Sequence, residues 1–129
     1  MAGSHLPPLF SERVNVVIFY DFEVFKEDWL AVFIDVTKKK EYVIINNPDE
    51  LKALYEANSK DIWVGYNNRH YDQYIFKGIL LGMNPKRIND WIIVEKREGW
   101  QFSSAFNKVP MINYDVMPVS YTHLRAHET

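Results

Sequence analysis

The chain has 129 residues, of which 47% are hydrophobic and 25% are charged, and its formal net charge is −2. This length suffices for one domain with a buried core, and no apolar run is long enough to span a membrane. The absence of cysteine excludes disulfide bonds and thiolate metal sites, and the slightly negative charge provides no general basic field for nucleic acid.

Residues 1–13 are predicted to be a disordered lead-in or vector-derived residues. Pro7 and Pro8 oppose helix formation there, and the segment lacks the apolar run of a signal peptide. The globular part is therefore expected to begin at Val14.

The first predicted strand, Val14–Glu23, is an apolar and aromatic run that ends in two carboxylates. Such a run is typical of a central strand covered on both faces. Asp21 and Glu23 are two residues apart, so their side chains point to the same face and repel each other. A divalent cation would relieve this repulsion, and a solvated strand end is the alternative interpretation.

Two more strands are predicted to follow, Asp28–Thr37 and Tyr42–Ile45, joined by a polar turn at Lys38–Lys40. The three strands are expected to form an antiparallel meander. The lysines are interpreted as a solvated turn rather than as a phosphate-binding group.

A helix is predicted to begin after Asn47, which can cap it, with Pro48 in the first helical position and Glu50 completing a capping box. It should end near residue 58, and the apolar run Ile62–Gly65 then forms a short strand. The order β-β-β-α-β, in which this strand follows a helical crossover from the antiparallel meander, predicts that it lies parallel to the first strand.

The stretch Gly65–Asp72 leaves that strand and enters a second helix, whose apolar stripe ends before Gly82. Asp72 falls in the first helical turn, where the helix dipole favours a carboxylate, and this is its purely structural explanation. His70 is interpreted in the same way as a loop residue without a role.

The later part of the chain has weaker patterns. A short helix is predicted at residues 85–88, a hairpin between residues 91–94 and 99–102, and a strand at Met111–Met117. Residues 119–129 resemble the translated adapter of a sequencing library and are treated as a non-native tail, so His123 and His127 are rejected as metal ligands.

Two motifs carry a resemblance to a known family. Tyr20-Asp21-Phe22-Glu23 on the first strand matches an Asp-x-Glu motif, and Asn67 to Asp72 at the helix start matches Asn-x-x-x-(Phe/Tyr)-Asp. In this order they resemble the DEDD-type 3′→5′ proofreading exonucleases of the ribonuclease H-like superfamily, in the form found in phage or viral DNA polymerases. The resemblance covers residues 14–118.

The resemblance implies an α/β fold, a ribonuclease H-like mixed sheet of three antiparallel strands plus parallel strands with flanking helices. It also implies two ions of Mg²⁺ or Mn²⁺ that cleave the terminal phosphodiester of a single-stranded DNA 3′ end. By the resemblance, Asp21 would bridge both ions, Glu23 would hold the ion on the nucleophile side, and Asp72 would bind the other. These three are the implied catalytic residues.

The resemblance further implies substrate-binding roles for Phe22, Asn67 and Tyr71. Asn67 would position the substrate or the helix-start loop, and packing beneath the site is favoured over base stacking for Phe22. The implied partner is the remainder of a DNA polymerase, in the cytoplasm (the host cytoplasm for a viral protein), with no membrane.

The chain departs from the family in one respect. The family's fourth carboxylate lies on a later helix, whereas Asp115 lies in a predicted strand, so the domain is expected to be truncated at its C-terminus and weak or inactive as an enzyme. Two alternatives stay open, a non-catalytic nucleic-acid-binding or structural module of this fold and another ribonuclease H-like nuclease.

Overall fold

The computed structural model describes residues 15–116, in which one mixed sheet carries helices on one face. Its strands are β1 (Val17–Val24), β2 (Trp29–Asp35), β3 (Lys40–Ile45), β4 (Ile62–Gly65) and β5 (Ile112–Asp115). The helices are α1 (Pro48–Ala57), α2 (Asp72–Leu80) and α3 (Pro85–Asn89). The structure thus confirms an α/β fold with a mixed sheet and flanking helices. The predictions for residues 1–13 and 119–129 lie outside the described residues.

The strand order in the sheet is β3-β2-β1-β4-β5. Strands β1, β2 and β3 form the predicted antiparallel meander, and β4 lies parallel to β1 as predicted. Strand β5 adds a further parallel neighbour beside β4. The pairing of β1 with β4 covers only residues 17–19 of β1, so within the described chain the end of β1 has no strand beside it on that side.

Helix α1 begins at the predicted position, with Asn47 as its N-cap. The Asn47 side chain accepts a hydrogen bond from the Glu50 amide at 3.1 Å, and its own amide group contacts the Glu50 carboxylate at 3.3 Å. The first bond satisfies the Glu50 amide, one of the donors that the first helical turn leaves free. The second bond joins two side chains, so here the Glu50 carboxylate accepts from the Asn47 side chain and not, as the predicted capping box requires, from its backbone amide. Pro48 occupies the first helical position, where its missing N–H has no consequence.

The core lies between the sheet and the helices and is mainly aromatic. Tyr20 and Phe22 of β1 point into it, and the Phe76 ring of α2 lies 5.3 Å from the Phe22 ring and 5.1 Å from the Trp63 ring, measured between centroids. Phe33 of β2 packs on the same cluster at 5.9 Å from Phe76. These rings contribute much of the buried apolar area that stabilises the fold.

The expectation that β1 is covered on both faces is met on one face only. Its alternate side chains, Phe19, Asp21 and Glu23, are exposed, as are apolar side chains beside them on the neighbouring strands. An apolar run predicts that a strand is central, which β1 is, but it does not specify which layer covers each face.

The predicted hairpin at residues 91–102 is wrong. Residues Asp90–Val94 form a π-helical turn that continues α3, and Gly99–Gln101 form a 3₁₀ turn. The Asn84 side chain accepts a hydrogen bond from the Lys86 amide and thereby caps the start of α3. The helical backbone then continues into the apolar residues 91–94. Gly99 then packs its backbone against the Tyr74 ring, where a β-carbon would lie 2.2 Å from a ring atom. Local capping and tertiary contact therefore override the strand-like composition.

No helix in residues 15–116 has the length and apolarity needed to cross a membrane.

Candidate metal centre at the end of strand β1

Asp21 and Glu23 lie on the same exposed face of β1, as their spacing predicts. Asp21 is paired across the sheet with Val32, and Glu23 with Leu30, so no basic side chain lies directly opposite either carboxylate. Partial burial raises the pKa of the Asp21 carboxyl above its usual value, and the neighbouring Glu23 charge raises it further. The two carboxylates are thus an electrostatically unfavourable pair.

Asp72 is the first residue of α2 and is only 4% exposed. Its Oδ1 atom accepts a hydrogen bond of 2.9 Å from the backbone amide of Phe22, the residue between Asp21 and Glu23. That amide lies on the side of β1 where β4 has already ended, so the Asp72 carboxylate takes the place of a strand carbonyl. The second motif is thereby attached directly to the first.

The Asp72 carboxyl has a strongly shifted acidity. Burial raises its pKa from 3.8 to about 7, an effect that the Asp21 and Asp115 charges increase and the Phe22 hydrogen bond opposes. A carboxyl with this pKa is partly protonated near neutral pH in the absence of a cation. Burial of this acid thus outweighs the backbone hydrogen bonds that stabilise its charged form.

The position of Asp72 relative to Asp21 follows from the sheet geometry. Helix α2 packs on the covered face, whereas the Asp21 side chain is on the exposed face. The amide that Asp72 binds lies in the plane of the sheet, because strand N–H groups point along that plane. The Asp72 carboxylate therefore stands at the strand end, between the two faces, beside the backbone of the Asp21–Glu23 motif.

These carboxylates do not enclose an ion as they stand. Among residues 15–116, no group of three or more acidic, histidine or cysteine side chains is close enough together to hold a metal. Asp21 and Glu23 are exposed, whereas Asp72 is buried and held by its hydrogen bond from the Phe22 amide. The donor set is oxygen only, which suits Mg²⁺ or Mn²⁺, and its raised pKa values fit a group that a cation would compensate.

Phe22 and Tyr71 have different surroundings. The Phe22 ring is buried against Phe76 and Trp29, so its contribution at the site is its backbone amide. Tyr71 is half-buried, and its hydroxyl donates to Asn89 of α3. Burial and the charges of Asp72 and Asp21 raise the Tyr71 pKa, which keeps the phenol protonated beside the carboxylates.

Asn67 has a left-handed backbone with a φ of 55° and sits in the loop between β4 and α2. Its amide donates to Asp115 Oδ1 at 2.8 Å, and the Arg69 amide donates to Asp115 Oδ2 at 3.3 Å. The neighbouring Asn68 is fully buried. Asp115 thus contributes a fourth carboxylate near the site, and the described structure uses it to hold this loop.

The roles of Asp115 and Asn68 were missed in the sequence. Asp115 could have been found from the rule that carboxyl ends of neighbouring parallel strands meet at one edge, since β5 ends at Asp115 beside Gly65 of β4. Nothing in the local sequence distinguishes Asn68 from Asn67. Only the register of the loop on β5 determines that Asn68 is the one whose side chain is buried and bonded to β5.

A shallow groove of about 330 Å³ runs along the exposed face beside Asp21. Phe19, Val32, Ile34 and Tyr66 line it together with Asp21, so its walls are apolar and one carboxylate stands at its rim.

Neither a protein-family model, nor a curated protein, nor a solved structure matches this chain.

Proposed function

We propose that this chain is part of a metal-dependent 3′→5′ exonuclease domain of the ribonuclease H-like type. Its substrate class would be the 3′ end of single-stranded DNA, and its parent a proofreading DNA polymerase of phage or viral type. The observation that carries the proposal is the hydrogen bond from the Phe22 amide to Asp72, which joins the two sequence motifs at one strand end.

The order of elements supports this proposal. A meander of three antiparallel strands, a helix and then a parallel strand match what the resemblance implies, and the two motifs occupy the end of β1 and the start of α2. The carboxyl ends of parallel strands are the usual place for a site in such sheets. The fold alone would not specify an activity, so the proposal depends on the carboxylates at this strand end.

The residues fit the chemistry of phosphodiester hydrolysis. Bound Mg²⁺ or Mn²⁺ would supply activation of water and stabilisation of charge on the phosphate. Asp21, Glu23 and Asp72 would hold these ions, and Asp72 is already oriented by the Phe22 amide. The Tyr71 hydroxyl, kept protonated and bound to Asn89, can stand beside an anionic substrate without repelling it.

We expect the activity of this chain to be weak. Asp115 accepts from two backbone amides of the β4–α2 loop, one at each oxygen, so its described contacts hold that loop. In the family the remaining carboxylate comes from a helix, and the exposed apolar face beside Asp21 and Glu23 offers a surface on which such a helix could pack. A loosened ion misplaces the attacking water, and a displacement of about 1 Å can cost about a hundredfold in rate.

The test is digestion of a 5′-labelled single-stranded oligonucleotide in Mn²⁺. The 129-residue chain is compared with a version extended through the family's last motif, each with Asp21→Asn and with Glu27→Gln as a matched exposed acidic control. We expect 3′-shortening by the extended version only, abolished by Asp21→Asn and unaffected by Glu27→Gln. Rapid digestion by the 129-residue chain would show that its site is already complete and that the assignment of the missing ligand is wrong.

One observation favours a second candidate, a non-catalytic nucleic-acid-binding module of the same fold. Within residues 15–116 the carboxylates are not gathered around an ion position. Such a module would bind single-stranded DNA equally well with Mn²⁺ or with a chelator, whereas the exonuclease proposal requires Mn²⁺ for hydrolysis.

RNA in place of DNA in the digestion assay tests a third class, a ribonuclease H-like nuclease that acts on RNA.

A further inference from the structure

The loop between β4 and α2, residues 66–71, is held to β5 by a buried side chain. Asn68 is 0% exposed, and its Nδ2 donates to Asn113 Oδ1 and to the Tyr114 carbonyl, each at 3.0 Å. The Asp115 carboxylate accepts from the amides on either side of Asn68. Three consecutive residues of β5 therefore bind this loop.

Asn68 also contacts the start of α2 through its backbone. Its carbonyl accepts a hydrogen bond of 3.0 Å from the amide of Gln73, the residue after Asp72. One residue thus binds β5 with its side chain and the first turn of α2 with its main chain. A shift of Asn68 would displace the helix end that carries Asp72, and with it the contact to Phe22.

Asn113 connects the same loop to β1. Its Oδ1 accepts from Asn68 Nδ2 and also from the Tyr20 hydroxyl, at 2.9 Å. The space around this junction is closed, since a β-carbon on Gly65 would lie 2.8 Å from the Tyr20 carbonyl and 3.2 Å from Asn68 Nδ2. The junction therefore fixes β1, β5 and the loop relative to one another.

Two atoms of this junction are buried without a hydrogen-bond partner in the described structure, Asn68 Oδ1 and Asn113 Nδ2. Unpaired buried polar atoms reduce stability, and apolar side chains of similar size would avoid that loss. Stability alone therefore does not account for an asparagine pair at this point. The hydrogen bonds that the pair does make are directional, and they tie the loop to β5 and to β1 at once.

We propose that Asn68 and Asn113 are positioning residues for Asp72, which they hold at the end of β1 by fixing the β4–α2 loop on β5. This proposal rests on the proposed function because it takes Asp72 to be a metal ligand. The position of the Asp72 carboxylate at the end of β1 is a property of the metal-free chain. It can therefore be measured separately, through the Phe22 amide that donates to Asp72.

The test uses the double variant Tyr20→Phe/Asn113→Val, which removes the junction without leaving the phenol hydroxyl unpaired. Asn68 keeps its bond to the Tyr114 carbonyl, so we expect the variant to fold. Two quantities are measured, the Mn²⁺ dissociation constant by calorimetry and the hydrogen exchange of the Phe22 amide by NMR. The matched control is Tyr55→Phe, which removes a tyrosine hydroxyl that donates to the Pro110 carbonyl, away from the site.

We expect the double variant to bind Mn²⁺ about ten- to a hundredfold more weakly, as is usual when residues that orient a metal ligand are changed. Its Phe22 amide should exchange at least about tenfold faster while the amides of the β2–β3 ladder keep their protection. Tyr55→Phe should change neither quantity at the site.

Unchanged Mn²⁺ affinity together with unchanged Phe22 exchange would overturn the positioning role. Equal acceleration of all sheet amides would overturn it too, because it would show a general structural role only. A wild-type chain that binds no Mn²⁺ would refute the proposed function, and the Phe22 exchange would then decide the positioning proposal by itself.

Discussion

The two faces of the sheet are made by the same strands and differ in what covers them. Ile44 and Ile45 of β3 are adjacent, yet Ile44 is 2% exposed beneath the helices and Ile45 is 60% exposed on the other face. Both faces are apolar. The open face carries these exposed side chains: Phe19, Ile34, Val43, Ile45 and Tyr66.

This difference shows that one apolar face is covered by helices and the other is left open in the described residues. Several apolar side chains exposed on one face are more than the scattered single residues that a solvated surface usually carries. Asp21 and Glu23 project from it, whereas Asp72 reaches the same strand end from the covered side. The site is therefore built at the border of the two faces, with one fixed carboxylate and two exposed ones.

The largest expected difference between the two faces comes from truncating Ile44 and Ile45 separately. Ile44→Ala should lower the free energy of unfolding by about 2–5 kcal/mol, because it opens a cavity under the helices. Ile45→Ala should change it by less than about 1 kcal/mol, since its side chain is largely in water already. Urea denaturation of the two variants measures both values. Similar losses would mean that both faces are covered in solution.

The pH dependence of stability probes the carboxylate on the covered side. The pKa of Asp72 is raised to about 7 in the folded chain, so between its ordinary value of 3.8 and about 7 the folded state holds a proton that the unfolded state has lost. The bound proton therefore contributes to the free energy of unfolding in full below pH 3.8, the pKa of Asp72 in the unfolded chain. This contribution, up to about 4 kcal/mol, is lost as the pH rises through the folded-state pKa of about 7.

Asp72→Asn keeps an acceptor for the Phe22 amide and removes this titration. We therefore expect the metal-free wild type to lose stability from about pH 4 to pH 8 while the variant follows a flatter curve. Chemical denaturation across this range measures the difference. Parallel curves for both proteins would show that Asp72 titrates normally.

The exposed carboxylates should have a smaller effect. In metal-free solution Asp21→Asn removes the repulsion with Glu23 and should raise the free energy of unfolding by about 0.5 kcal/mol, a value kept small by solvent screening. Glu27→Gln, in the turn after β1, serves as the control and should have less effect. A loss of stability in Asp21→Asn would indicate that Asp21 makes a favourable contact in the metal-free chain.

Much of the fold was predictable because local signals agreed with the final structure. The apolar run of β1, the Asn47 cap and the helix crossover before β4 predict the meander and the parallel strand from the sequence. The short helix predicted after Asn84 is confirmed as α3, but the hairpin predicted at residues 91–102 is wrong, because a short β-branched run has no intrinsic preference strong enough to oppose a capped helix start and the packing of Gly99 on Tyr74.

The site was predictable in part for the same reason. The spacing of Asp21 and Glu23 predicts a shared face, and that is confirmed. The covered side of the site depends on contacts across many residues of sequence, such as those from Asn68 to Asn113 and from Asn67 to Asp115. No local pattern encodes these pairings. The edge rule for parallel strands could have placed Asp115 near the loop, but only the folded register shows which residues pair.

The most direct test of the central claim is a calorimetric titration of Mn²⁺ into the wild-type chain, Asp21→Asn, Asp72→Asn and Glu27→Gln. A metal centre at the end of β1 predicts saturable binding to wild type and to Glu27→Gln, and its loss in the other two variants. Bound Mn²⁺ should also stabilise the fold by about 2.7 kcal/mol at a hundred times its dissociation constant. Binding that persists in both Asp21→Asn and Asp72→Asn, or no binding to wild type at millimolar Mn²⁺, would contradict the account.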